Sequence, residues 1–180
     1  MSFVHRLAAH VLCLAVVAAS SVPAFAHATL EVDKAPVGSF YKAVMRVPHG
    51  CAGSPTIRVR IRVPEGYIGV KPMPKPGWTL EITRGKYEKP HQLFRNALTE
   101  GVTEVSWSGG KLPDDEYDEF TLTGTLASDL APGAVVYFPT VQDCESGAAE
   151  RWIEIPTADK PAESLKSPAS GLTLTPASSK

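Results

Sequence analysis

Residues 56–63 read Thr-Ile-Arg-Val-Arg-Ile-Arg-Val. Apolar Ile57, Val59, Ile61 and Val63 alternate with Arg58, Arg60 and Arg62. A period of two sets one row of side chains on each face of an extended strand. One face therefore buries branched aliphatics and the other presents arginines to water. The three arginines are the wet face of a strand and not a polyanion-binding patch.

The same texture recurs on both sides of this stretch. Residues 39–48 (SFYKAVMRVP), 77–84 (GWTLEITR), 102–109 (VTEVSWSG), 120–127 (FTLTGTLA) and 134–142 (AVVYFPTVQ) are short runs rich in Val, Ile, Thr and aromatics. Pro- and Gly-rich punctuation separates them: HGCAGSP, PEGY, KPMPKPG, SGGKLPDDE and DLAPGA. Short strands at this spacing indicate an all-β sandwich or barrel, and no helix-length amphipathic pattern follows residue 26. Trp78 and Trp107 fall at strand positions, where a large aromatic ordinarily fills a core. From about residue 157 the composition turns to Pro, Ala, Ser, Lys and Thr. Residues 158–180 are accordingly expected to be a disordered tail, and residues 27–157 the domain.

The first 26 residues carry one charge, Arg6, then an apolar run from Leu7 to Ala19 interrupted only by His10. Ser20-Ser21-Val22-Pro23 leads into Ala24-Phe25-Ala26. A basic start, a short apolar core and small residues before a cut make a secretory signal. The run is too short for a bilayer span of about 20 residues. Cleavage after Ala26 fits best and leaves His27 first; the register Ala26-His27-Ala28 also satisfies the small-x-small rule and would leave Thr29 first. The location expected is periplasmic or secreted.

Residues 27–180 number 154, enough for one well-cored domain. With Arg6 removed, 17 basic residues face 19 acidic ones, a balance of −2. Near-neutrality without basic clustering excludes a nucleic-acid footprint. Cys13 leaves with the leader, and Cys51 and Cys144 remain. In an oxidising compartment two lone cysteines most simply pair. A thiolate metal site is the rival reading, weakened by the lack of a CxxC spacing.

His27 is the chemically unusual residue. At a mature amino terminus its α-amine and imidazole Nδ1 close a six-membered chelate ring on one metal ion. The amine titrates near pH 8, far below lysine, so a metal can displace its proton at neutrality. Nitrogen-rich tetragonal sites favour Cu(II). A cleavage site that happens to precede a histidine is the bland alternative. His49 lies two residues before Cys51, so a Cys51–Cys144 disulfide would hold its loop, and Trp152 follows Cys144 by eight residues. His91, in EKPHQLF, has no partner legible in the sequence.

These segments resemble the YcnI-like (DUF1775) family of secreted copper-binding domains. The likeness is carried by HATLEV, VPHGCAGSPTIRVRIRVPEG, PMPKPGW, VSWSGGKLPDDEYDEFTLTG and VYFPTVQDCESGAAERW, and spans about residues 27–155. The resemblance implies an immunoglobulin-like or cupredoxin-like β-sandwich. It also implies a Cu(II) site in which the amino-terminal histidine braces the metal and a tryptophan, here Trp152, completes it. The family's glutamate after the second-strand Val-Pro is replaced here by Pro48-His49-Gly50-Cys51, so His49 is expected to take that place. Copper homeostasis is the implied role. Other periplasmic copper-handling or membrane copper-transport proteins are the implied partners.

Three function classes follow. The first is a Cu(II) chaperone, buffer or carrier without turnover, bound through His27, His49 and Trp152. The second is a copper-dependent monooxygenase using a histidine brace, for which no aromatic platform stands out. The third is a metal-free structural or adhesive module. Ser106, Ser108 and Ser128 lie near acids but near no histidine, and no nucleophile elbow is present, so no hydrolase is expected.

Overall fold

The computed structural model describes residues 27–178. The expected signal sequence, residues 1–26, lies outside them. Twelve strands account for almost all the regular structure: β1 (Thr29–Leu30), β2 (Lys34–Pro36), β3 (Phe40–Val47), β4 (Thr56–Arg62), β5 (Tyr67–Pro72), β6 (Thr79–Leu93), β7 (Asn96–Leu112), β8 (Asp118–Leu126), β9 (Val135–Phe138), β10 (Thr140–Cys144), β11 (Ala149–Trp152) and β12 (Ser170–Thr175). One sheet has the order β1-β3-β8-β5 and a second β11-β10-β4-β7-β6. A small third sheet, β2-β12-β9, carries β12 parallel to β2 and antiparallel to β9. The all-β expectation holds.

The core lies between the two large sheets. Val59 and Ile61 on β4 are fully buried, as their alternation requires. Ile57 departs from it. Between Thr56 and Arg58, β4 carries one residue more than β10 opposite it, a bulge, and Thr56 points inward in place of Ile57. The arginines line the outer face: Arg60 pairs with Asp143 at 3.1 Å and Arg58 with Glu81 at 3.5 Å. Tyr41, Tyr67 and Phe138 form one buried aromatic group, with centroids 5.6–6.5 Å apart. Trp107 and Trp78 flank Phe120 at 5.4 and 5.1 Å. Trp107 is fully buried and its Nε1 donates to the Met73 carbonyl at 3.0 Å, so both tryptophans are structural.

The expected tail requires correction. Within residues 158–180, β12 pairs with β2 and β9 and buries Leu172 and Leu174 completely. Averaged over twenty residues the composition reads as disordered, but Leu172 and Leu174 alternate with Gly171, Thr173 and Thr175. Six residues of period-two pattern suffice for a strand when two partners wait for it. The domain therefore continues to Thr175.

Pro139 explains another departure. The run 134–142 is two strands, because proline cannot donate to a ladder. At Pro139 the chain leaves the small sheet as β9 and enters the second large sheet as β10.

Candidate metal-binding corner

His27 and Ala28 precede β1, at one end of the sandwich. β1 pairs with β3 as Thr29↔Arg46 and Leu30↔Met45. β3 runs one residue past this pairing, to Val47, and His49 lies in the loop that follows it. Ala28 is buried, and its carbonyl accepts a hydrogen bond from Ser170 Oγ at 2.6 Å. The first residue of β12 thus fastens the segment that carries His27.

Trp152 reaches the same corner from the other sheet. It ends β11, opposite Thr140 of β10, and is 5 % exposed. Its ring lies 4.9 Å from that of His27, at 56°. Trp152 Nε1 is buried with no hydrogen-bond partner among the described residues. An indole N–H is a donor only, and a buried donor without an acceptor calls for an explanation.

The His49 loop is held from several directions. Cys51 and Cys144 form the expected disulfide, with Cα atoms 6.0 Å apart. Cys51 and Ser54 exchange backbone hydrogen bonds of 2.7 and 3.0 Å around Ala52 (φ 49°) and Gly53 (φ 86°). Two left-handed central residues make a type I′ turn. Gln142, buried on β10, donates to the His49 carbonyl and to Thr56 Oγ1, both at 2.6 Å. The His49 imidazole is turned so that Nδ1 lies 2.5 Å from the Gly50 carbonyl oxygen and 4.0 Å from Asp114 Oδ1. Donation from Nδ1–H to that carbonyl leaves Nε2 with the lone pair a metal would use.

The structure therefore brings His27 and Trp152 into ring contact and sets His49 in the adjoining loop. It does not gather a closed cage: among the described residues, no group of three or more His, Cys, Asp or Glu side chains is placed to hold a metal ion. Asp114 is a neighbour that sequence reading missed. Its Oδ2 accepts from Gly53 N at 2.9 Å, and its Oδ1 is buried without a hydrogen-bond partner among the described residues. It sits 65 residues from His49 in a turn with two other acids, Asp115 and Glu116, and nothing in its spacing marks it out.

His91 also has partners that spacing could not reveal. The side chain is fully buried, with Nε2 2.7 Å from Glu65 Oε1 and Nδ1 3.2 Å from Asp129 Oδ1. Both nitrogens can donate only in the imidazolium form. Asp129 also pairs with Lys89 at 2.8 Å; that hydrogen bond first, then His91, holds its carboxyl below the usual carboxylate range against some desolvation. This cluster joins the β4–β5 turn, β6 and the β8–β9 loop, and is a structural clamp.

The model of a domain of unknown function, DUF1775, matches residues 27–174. An uncharacterized protein from Nocardia farcinica, whose crystal structure reveals an immunoglobulin-like fold, is 23 % identical with a TM-score of 0.60. The match covers 83 % of this chain and 98 % of that one. No curated protein matches the chain.

Proposed function

The chain belongs to the DUF1775 family, and on that footing we propose that its mature form is an exported Cu(II)-binding protein acting without turnover. One observation carries the proposal: the His27 ring packs against Trp152, whose indole N–H is buried without an acceptor among the described residues. Copper is the cargo. Cleavage after Ala26 would free the His27 α-amine, and amine and imidazole together would supply two nitrogens from one residue. That economy suits a corner without three clustered ligand side chains. Nε2 of His49, in its disulfide-held loop, is the third nitrogen we assign, and Trp152 closes the site on its buried side. Two residues supplying the nitrogens leave coordination positions open, which suits a carrier that must pass its ion on. The implied recipients are periplasmic or membrane copper-handling proteins.

The test compares protein beginning at His27 with the same protein carrying one extra residue before it. Cu(II) titration should give one ion per chain for the first and affinity weaker by about tenfold or more for the second, because an amide nitrogen is a poor ligand until deprotonated. Electron paramagnetic resonance of the loaded protein should show nitrogen hyperfine structure. Equal affinity in the extended form would overturn the assignment to His27.

A further inference from the structure

At the pole opposite His27, two phenyl rings stand in solvent. Phe40, the first residue of β3, is 72 % exposed, and Phe94 is 77 % exposed. Their centroids are 6.3 Å apart at 45°. Phe94 opens the two-residue turn of the β6–β7 hairpin, between Leu93 and Asn96, with φ 55°. A left-handed backbone is ordinarily left to Gly, Asn or Asp, and a bulky residue there is an outlier. Phe94 therefore carries two unfavourable features, strained backbone and an apolar ring in water, and such strain clusters at ligand clamps.

The turn is held rigidly. The buried His91 clamp fixes the hairpin to Glu65 and Asp129. Leu93 packs so closely on Gly69 that a Cβ there would approach it to 2.9 Å. Gln92 Nε2 donates to the Phe94 carbonyl at 3.0 Å. The rings stand at this fixed hairpin tip and flank a shallow, open hollow of about 200 Å³ lined also by Gln92, Leu93 and Leu126.

Along the hairpin tip and the start of β3 the unpaired charges are cations. From Lys89 to Thr99 the hairpin has Lys89 and Arg95 and no acid. Lys42 follows Phe40 one pleat along the outer face of β3. Neither Arg95 nor Lys42 has an ion-pair partner among the described residues. The nearby acids Asp129 and Glu65 are committed to Lys89 and His91. Exposed aromatics beside free cations suit the boundary between headgroups and acyl chains of an anionic bilayer.

We propose that this pole docks on an anionic lipid surface, with Phe40 and Phe94 entering between headgroups and Arg95 and Lys42 meeting their phosphates. A second copy of the chain would bring cationic rim against cationic rim. The proposal does not depend on copper.

The experiment is vesicle co-sedimentation of protein beginning at His27, since the apolar run at residues 7–19 would bind lipid by itself. Phosphatidylglycerol–phosphatidylcholine vesicles should capture it, and pure phosphatidylcholine or high salt should release it. Phe94→Asn suits the left-handed turn, so the thermal midpoint should hold or rise while vesicle binding falls about tenfold or more. The pair Lys42→Glu and Arg95→Glu should abolish the preference for anionic vesicles. Absence of wild-type binding, equal binding to neutral vesicles, or unchanged binding by Phe94→Asn would overturn it. So would a concentration-dependent dimer that Phe94→Asn dissolves, which would assign the pole to self-association.

Discussion

Gly50 has no space for a methyl group. A Cβ there would meet the Ser54 carbonyl oxygen at 2.2 Å and Asp114 Oδ1 at 3.0 Å. The triplet His49-Gly50-Cys51 thus divides three tasks: a nitrogen donor, a close backbone approach and a covalent tie. His49→Ala should leave the fold intact, because Gln142 grips only the His49 carbonyl, yet weaken Cu(II) binding and simplify the nitrogen hyperfine pattern. Trp152→Phe is the sharper probe. It removes a buried N–H without an acceptor, a group whose desolvation costs about 1–3 kcal/mol. The metal-free thermal midpoint should stay level or rise, while quenching of fluorescence by Cu(II) at this corner disappears. A midpoint several degrees lower would mean that the space left by the smaller ring costs more than the removed N–H returns. The contact of His27 with Trp152 spans 125 positions, and no spacing in the chain announces it. Only the family resemblance singled out the pair, and His91 stayed unread because Glu65 and Asp129 lie 26 and 38 positions away.

β12 shows how an element can hide in its own composition. Prolines at 161, 168 and 176 and the surrounding Ser and Ala lower the mean hydropathy around it, although Leu172 and Leu174 are as buried as any residue in the core. Removing one buried leucine costs about 2–5 kcal/mol, and whole domains are stable by about 5–15 kcal/mol. A chain ending at Thr157 should therefore fail to fold cooperatively in a urea titration, whereas one ending at Thr175 should match the full domain. Ser170→Ala is milder: it removes the hydrogen bond to Ala28 and should loosen His27 without unfolding the protein, measurable as faster amide exchange at residues 28–30. The long alternating strands were legible because their period survives in one window. β1, β2 and β11, of two to four residues, are too short to show a period. The outer halves of β6 and β7 are ordered by the His91 clamp, which acts across the fold.

At the scale of the whole molecule, the Cys51–Cys144 bond ties β10 to the loop after β3 across 93 positions. In the chain-entropy treatment a loop of that size contributes about 3–5 kcal/mol. Reduction, or the double Cys→Ser variant, should lower the thermal midpoint and also weaken Cu(II) binding by releasing the His49 loop. Unchanged copper affinity in the reduced protein would separate His49 from the site. The direction of β12 has a consequence of its own. Ser170 starts beside Ala28, and Thr175 ends where its carbonyl accepts from Val37 N at 3.0 Å, three residues before Phe40. The sandwich is therefore a vector, with the histidine at its head and the last strand leaving at its foot, about 25 Å apart along β3. Seated by its foot on a bilayer, the molecule would hold His27 away from the lipid, where an ion or a recipient protein could arrive unobstructed, and any segment after Thr175 would emerge on the membrane side.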